Sequence, residues 1–258
     1  MESVSGQRYR RSLRIAHGGK VLGGWLEARP AARKHTLRID VSASLARCVP
    51  PLRAGARRAF DLDADPTEIA AVLGDLAKPN PGLRLPGGFD AFELAVRAIL
   101  GQQITVKAAT TIAGRFAAAF GEPIATPFEG VTHLFPSAGT VAGLEPGDIA
   151  RLGVVSARAR ALIAVARAID DGSIDLGPGA DVEATLAALE ALPGIGPWTA
   201  QYIAMRSLSW PDAFPHPDVA LIKAMGVKPA AALEQAERWR PWRAYAVIHL
   251  WKSLESRS

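Results

Sequence analysis

From Pro66 to the C-terminus, apolar positions recur at helical spacing in alanine- and leucine-rich runs cut by glycine and proline. The runs are TEIAAVLGDLA, FELAVRAILGQQITVKAATTIAGRFAAAFG, SARARALIAVARAID, VEATLAALEAL, TAQYIAMRSL, VALIKAMG, AALEQAERW and WRAYAVIHLWKSL. Their period predicts helices throughout. Asp90 followed by Glu93 before AVRAIL is a capping-box pattern, which starts that helix at Ala91. GEPIATPFEG at 121–130 and DGSIDLGPGA at 171–180 read as loops. The first sixty residues have another texture. YRRSLRI, KVLGGWLEA and KHTLRIDVS alternate or are β-branched, are separated by HGG and ARPAAR turn material, and predict a small antiparallel sheet. The fold class is α+β, mostly α, with the sheet first and no internal repeat.

A chain of 258 residues with 49% hydrophobic and 21% charged residues can bury a proper core in one large or two to three small domains. Arginine or an acid breaks even the richest apolar stretch, ALIAVARAI at 161–169, so no membrane span is expected. MESVSGQRYRRSLRI has no apolar stretch after its basic residues and does not read as a secretory signal, which leaves the cytoplasm as the expected compartment. Cys48 is the single cysteine, so an internal disulfide, a four-cysteine zinc site and a thiolate-held iron–sulfur cluster are all excluded. The net charge of +5 is unevenly spread. Residues 1–58 carry 13 Lys and Arg against 3 acids, residues 59–190 carry 9 against 17, and residues 191–258 carry 8 against 5. A polyanion would prefer the ends, although a solvated basic surface accounts for the same distribution.

The richest segment for chemistry is LEALPGIGPWTAQYIAMRSL, residues 189–208. One helix ends near Ala191, LPGIG follows, and a second helix opens at Pro197, where a missing N–H costs nothing. This is a helix–hairpin–helix pattern. Its glycines allow positive φ and close approach, and the free amides that open the second helix suit an anion such as a DNA phosphate. A simple αα-turn with a glycine cap fits PGxG equally well. Phe214-Pro215-His216-Pro217-Asp218 then places a carboxylate, 22 residues after Gly196, directly before the helical run VALIKAMG. By position alone Asp218 is an N-cap.

Together with YRRSLRI, KHTLRIDVSASL, GLRLPGGFDAFELAVRAILGQQITV, DAFPHPD and AERWRPWRAYAVIHLW, this segment resembles the helix–hairpin–helix DNA glycosylases with a Gly/Pro-rich loop and a following Asp. Within them it is similar to the alkylation-repair branch, DNA-3-methyladenine glycosylase II. The resemblance covers nearly the whole chain. It implies a two-lobed helical glycosylase behind the sheet, with residues 1–66 as the β-rich domain, 67–91 and 211–258 as the lobe carrying the aspartate, and 92–210 as the lobe ending in the hairpin. It further implies Asp218 as the catalytic carboxylate, Trp198, Tyr202 and Trp251 as walls of a base pocket, and Gln103 as the wedge that fills the gap left by an extruded base. The best-known branch has leucine at the wedge, so Gln103 departs from the pattern.

The resemblance also assigns phosphate contacts to Gly194, Gly196, Trp198 and Thr199, the last through its side chain. A monovalent cation would sit on the backbone carbonyls of Glu190, Leu192 and Ile195, and no other cofactor is required. Strand-cleaving members carry a lysine nucleophile where Trp198 stands, and tryptophan cannot form a Schiff base. The implied activity is a monofunctional hydrolase, acting as a monomer on double-stranded DNA with alkylated bases. A glycosylase for another lesion and a non-catalytic DNA-binding module are the competing readings, and binding alone needs neither Asp218 nor the aromatics. Members of the branch carry further residues before the segment matching ESVSGQRYRR, including a strand and a pocket aromatic. The chain is thus expected to start late, through a misassigned start or as a piece of a longer alkylation-response protein. His216 reads as a loop histidine and His249 as a hydrogen-bonded helix histidine.

Overall fold

A computed structural model describes residues 1–33 and 35–255. Four strands, β1 (Glu2–Ser5), β2 (Arg8–His17), β3 (Lys20–Pro30) and β4 (Leu37–Val41), form one antiparallel sheet in chain order. The helices are α1 (Val49–Ala59), α2 (Pro66–Leu73), α3 (Ala91–Leu100), α4 (Val106–Phe120), α5 (Ala138–Ala142) and α6 (Pro146–Ala150). After them come α7 (Ser156–Asp170), α8 (Val182–Glu190), α9 (Pro197–Ser207), α10 (Val219–Met225), α11 (Pro229–Ala236) and α12 (Arg243–Glu255). Among the described residues no helix is long and apolar enough to cross a membrane.

The sheet is the predicted one with an added edge strand, since β1 pairs with β2 through Glu2 opposite Arg11 to Ser5 opposite Arg8. Alternation places Leu13 and Ile15 of β2 on one face, where they bury with Leu26 and Ala28 of β3 against Leu45, Cys48 and Leu52. The all-strand reading of the first sixty residues is wrong at α1. VPPLRAGARRA starts with proline in the first turn, buries Leu52, Gly55, Ala56 and Ala59 at helical spacing and ends on Arg57 and Arg58, which favour the negative end of the helix. Its small residues conceal this face from a hydropathy reading. A Cβ on Gly55 would stand 2.8 Å from the Phe89 ring, so the helix packs there only because the side chain is missing.

Two helical cores follow. One gathers Phe92, Val96, Ile99 and Leu100 of α3, Phe116, Phe135, Leu162 and Val165 of α7, Leu189 and Ile203. The other joins Ile69, Leu73 and Leu85 to Met205, Phe214, Leu221, Trp239, Tyr245 and Leu250. Tyr202 packs against both, so α9 is the seam between them.

Helix α3 starts at Ala91 with Asp90 accepting from the Glu93 amide at 3.1 Å. The Glu93 carboxylate, which a capping box would return to the Asp90 amide, instead meets Arg11 of β2 at 2.5 Å and Arg97 at 2.9 Å. Arg11 is 4% and Glu93 2% exposed, and a buried charge of either sign is tolerable only with its partner in place. This pair fastens the sheet to the helical body. Burial would raise Glu2, but the Arg97 and Arg11 guanidiniums outweigh it and hold the carboxyl below its ordinary value.

His249 of α12 is 4% exposed, and among the described residues its Nδ1 has no hydrogen-bond partner, contrary to the hydrogen-bonded histidine expected. Burial lowers its pKa. The unfolded chain therefore binds this proton at a higher pH than the folded one, and stability is lost as pH falls through the ordinary histidine value of about 6.5. Replacing His249 with Leu should flatten the fall in Tm between pH 7.5 and 5.5; an unchanged slope would assign the effect to another group.

Candidate active site

Helix α9 sets the geometry. Trp198 and Tyr202 lie four residues apart on one face, and their rings stack with centroids 5.2 Å apart and planes at 23°. Trp251 of α12 tilts against Tyr202 at 6.1 Å. All three are half-buried. Asp218 is the N-cap of α10, its Oδ1 accepting from the Leu221 amide at 2.8 Å. Its Oδ2 accepts from Trp198 Nε1 at 2.8 Å, and Trp251 Nε1 lies 3.4 Å from Oδ1. The two indoles thus present their N–H edges to the carboxylate. Trp198 and Trp251, expected as pocket walls, also hold the aspartate.

The loop from α9 to α10 is pinned at its other points by residues with no role in the sequence reading. Gln201 Oε1 accepts from the Phe214 amide at 3.0 Å. Arg243 of α12, itself buried, grips the Asp212 carboxylate at 2.7 and 3.0 Å and donates to the Asp212 carbonyl. An arginine inside the apolar run WRAYAVIHLW was the available signal. His216 Nε2 donates to the carbonyl of Pro229, at the start of α11, at 2.9 Å, since a carbonyl can only accept.

The hairpin lies between α8 and α9. Gly194 has φ of +85° and sits 3.0 Å, as its absent Cβ, from Ala161 of α7, so a side chain there is both strained and crowded. Gly196 differs from the expectation of two positive-φ glycines. It is extended at φ −95° and ψ 175°, and a Cβ on it would meet open space. Its lack of a side chain leaves the mouth of α9 open. The amides of Trp198 and Thr199 open α9 and have no intrahelical acceptor. Thr199 departs from its expected outward role. It is 3% exposed, and its Oγ1 accepts from Gln102 Nε2 at 2.8 Å, so its hydroxyl belongs to the protein interior. Gln103 is exposed at φ +54° on the α3–α4 turn. A concave space of about 540 Å³ beside Val72, Met225 and Trp239 and another of about 490 Å³ beside His17, Lys20 and Arg47 are both lined without Asp218.

Residues 1–90 match the sequence profile of the AlkA N-terminal domain, and residues 96–230 match that of the HhH-GPD superfamily base excision DNA repair proteins. The chain belongs to the HhH-GPD superfamily. It is 39% identical to DNA-3-methyladenine glycosylase 2 of Escherichia coli over 97% of this chain and 87% of that protein. It is 41% identical to a probable bifunctional transcriptional activator/DNA repair enzyme AlkA of Mycobacterium tuberculosis over 98% of this chain. The chain spans 52% of the length of that relative. In fold it is similar to a 3-methyladenine DNA-glycosylase from Archaeoglobus fulgidus, with a TM-score of 0.81, 20% identity, and coverage of 97% of this chain and 88% of that one.

Because Asp218 caps α10, its removal has a structural cost separable from any chemistry. Asp218→Ala should cost about 1 kcal/mol in denaturant unfolding, whereas Asp218→Asn, which caps well, should cost less. Equal losses would mean that the cap contributes nothing.

Proposed function

We propose that this chain is a monofunctional DNA glycosylase that hydrolyses the N-glycosidic bond of alkylated bases of the 3-methyladenine type in double-stranded DNA. The observation that carries the proposal is the carboxylate of Asp218, held by two indole N–H groups and a helix cap beside an aromatic stack. A target base must leave the duplex to reach such a site. A purine methylated on a ring nitrogen is cationic, and indole and phenol faces attract cations. Trp198, Tyr202 and Trp251 therefore select by charge as well as by shape. As the bond loosens, the alkylated base departs as a neutral molecule without protonation, so no general acid is needed. Asp218 stabilises the positive charge that develops on the sugar and orients or deprotonates the attacking water.

Gln103 fills the gap in the stack, and the amides of Gly194, Gly196, Trp198 and Thr199 meet the phosphates. The hard carbonyl oxygens of Glu190, Leu192 and Ile195 suit a monovalent cation, which would add positive charge facing the same phosphates; the hairpin requires no other cofactor. The name of the Escherichia coli relative supports the alkylated-base class. Trp198 has no amine for a Schiff base, which supports hydrolysis without strand cleavage. The protein is proposed to act as a monomer, in the cytoplasm where bacterial DNA lies.

The test is release of free base from methylated duplex DNA. Wild-type protein should release it and leave breaks only after alkali, and Asp218→Asn should lose about 100-fold or more in rate with its fold intact. Trp198→Phe keeps an aromatic face but removes a donor to the carboxylate, and should lose roughly tenfold. Full excision by Asp218→Asn, or a borohydride-trapped enzyme–DNA adduct, would overturn the assignment.

A further inference from the structure

The α3–α4 turn and the hairpin are far apart in sequence but joined by one side chain. Gln102 Nε2 donates to the Gly194 carbonyl at 3.2 Å and to Thr199 Oγ1 at 2.8 Å. The amide has two hydrogens, and both are used. Both acceptors are themselves fixed. Gly194 is locked by its positive φ against Ala161, and Thr199 is buried in the first turn of α9. On the other side, Gly101 ends α3 and Thr105 caps α4, its Oγ1 accepting from the Ala108 amide at 3.2 Å. The five-residue turn is thus held at both helix ends and, through Gln102, at its middle. The next residue, Gln103, is exposed with φ of +54°, a conformation a non-glycine residue keeps only when its surroundings impose it.

We propose that Gln102 is a positioning residue that makes the Gln103 turn and the hairpin a single rigid unit. Seating the hairpin amides on a phosphate then fixes where Gln103 stands relative to the base stack, so that backbone engagement and base extrusion occur in register. Gln102 itself touches neither the base nor the sugar; it acts through Gly194, Thr199 and Gln103. This assignment rests on the glycosylase reading. It also gives the inward-facing Thr199 hydroxyl a purpose, as the acceptor that fixes the link.

The proposal separates opening of the stack from chemistry at Asp218, and the experiment compares the two. Single-turnover release is measured for one methylated base paired in a duplex and for the same base in an unpaired bulge, where less stacking has to be broken. Gln102→Met, which keeps length and removes both donors, should lower the duplex-to-bulge rate ratio by roughly tenfold, as expected for the loss of two neutral hydrogen bonds. 2-Aminopurine placed beside the lesion should show a matching loss of extrusion. Thr199→Val, which removes one of the two acceptors, should shift the ratio in the same direction by less, Thr199→Ser should lose least, and the Gln102→Met/Thr199→Val double variant should be no worse than Gln102→Met alone. Circular dichroism melts establish that each variant is folded. An equal fall on both substrates, or additive losses in the double variant, overturns the positioning role while leaving the glycosylase reading in place. A folded wild type that binds the duplex but releases no base from either substrate overturns the glycosylase reading and the coupling with it.

Discussion

A carboxylate drawn partly out of water must be given donors in exchange, and at Asp218 these come from three separate elements. The Leu221 amide belongs to α10, the Trp198 indole to α9 and the Trp251 indole to α12. The Leu221 amide is local to the cap, but neither indole reaches the carboxylate unless α9 and α12 stand where they do. The same demand explains why the loop leading to Asp218 is tied down at Asp212 by Arg243 and at Phe214 by Gln201. Losing a partner of the buried Arg243–Asp212 pair would leave an uncompensated charge and displace the carboxylate with it.

The aromatic residues serve two ends at once. A tryptophan face is an electron-rich surface, and its edge carries one strong donor. Trp198 turns its donor to Asp218 and its face to Tyr202, so substitution of this residue disturbs the carboxylate and the stack together. Tyr202 in turn receives Arg206 Nη1 at 3.1 Å on its hydroxyl, which fixes the phenol as an acceptor there. Arg206 also reaches back to the Pro86 carbonyl at 2.6 Å, tying α9 to the segment that precedes α3. The seam between the two helical cores is thereby both the place where the aromatics meet and a point where α9 is braced by side-chain hydrogen bonds.

Charge works in the same way farther out. All three acidic residues among the first 58 are engaged by arginine, with Glu27 meeting Arg8 and Arg10, Asp40 meeting Arg29 and Arg38, and Glu2 meeting Arg97. The excess of basic residues therefore includes a structural share as well as surface charge. Arg11 shows the structural share most plainly, since its guanidinium crosses from the sheet to Glu93 of α3 at full burial.

Local patterns in the sequence determined the three long strands, the start of α3 at Ala91, the hairpin between α8 and α9, and the placing of Asp218 at a helix start, because each depends on a periodicity, a cap or a turn residue read within a few positions. They did not reveal α1, whose buried face carries glycine and alanine beside the single leucine Leu52 and has little hydropathy to display. Nor did they reveal the edge strand β1, which is held by its pairing with β2 and by the Glu2–Arg97 ion pair. The resemblance supplied Trp198, Tyr202 and Trp251 together, but their edges turned to Asp218 were decided by how α9, α10 and α12 pack. Gln102 and Thr199 were likewise settled by tertiary contact across 97 residues. Sequence fixes what a side chain can donate or accept; which group it meets is decided only when distant helices close around it.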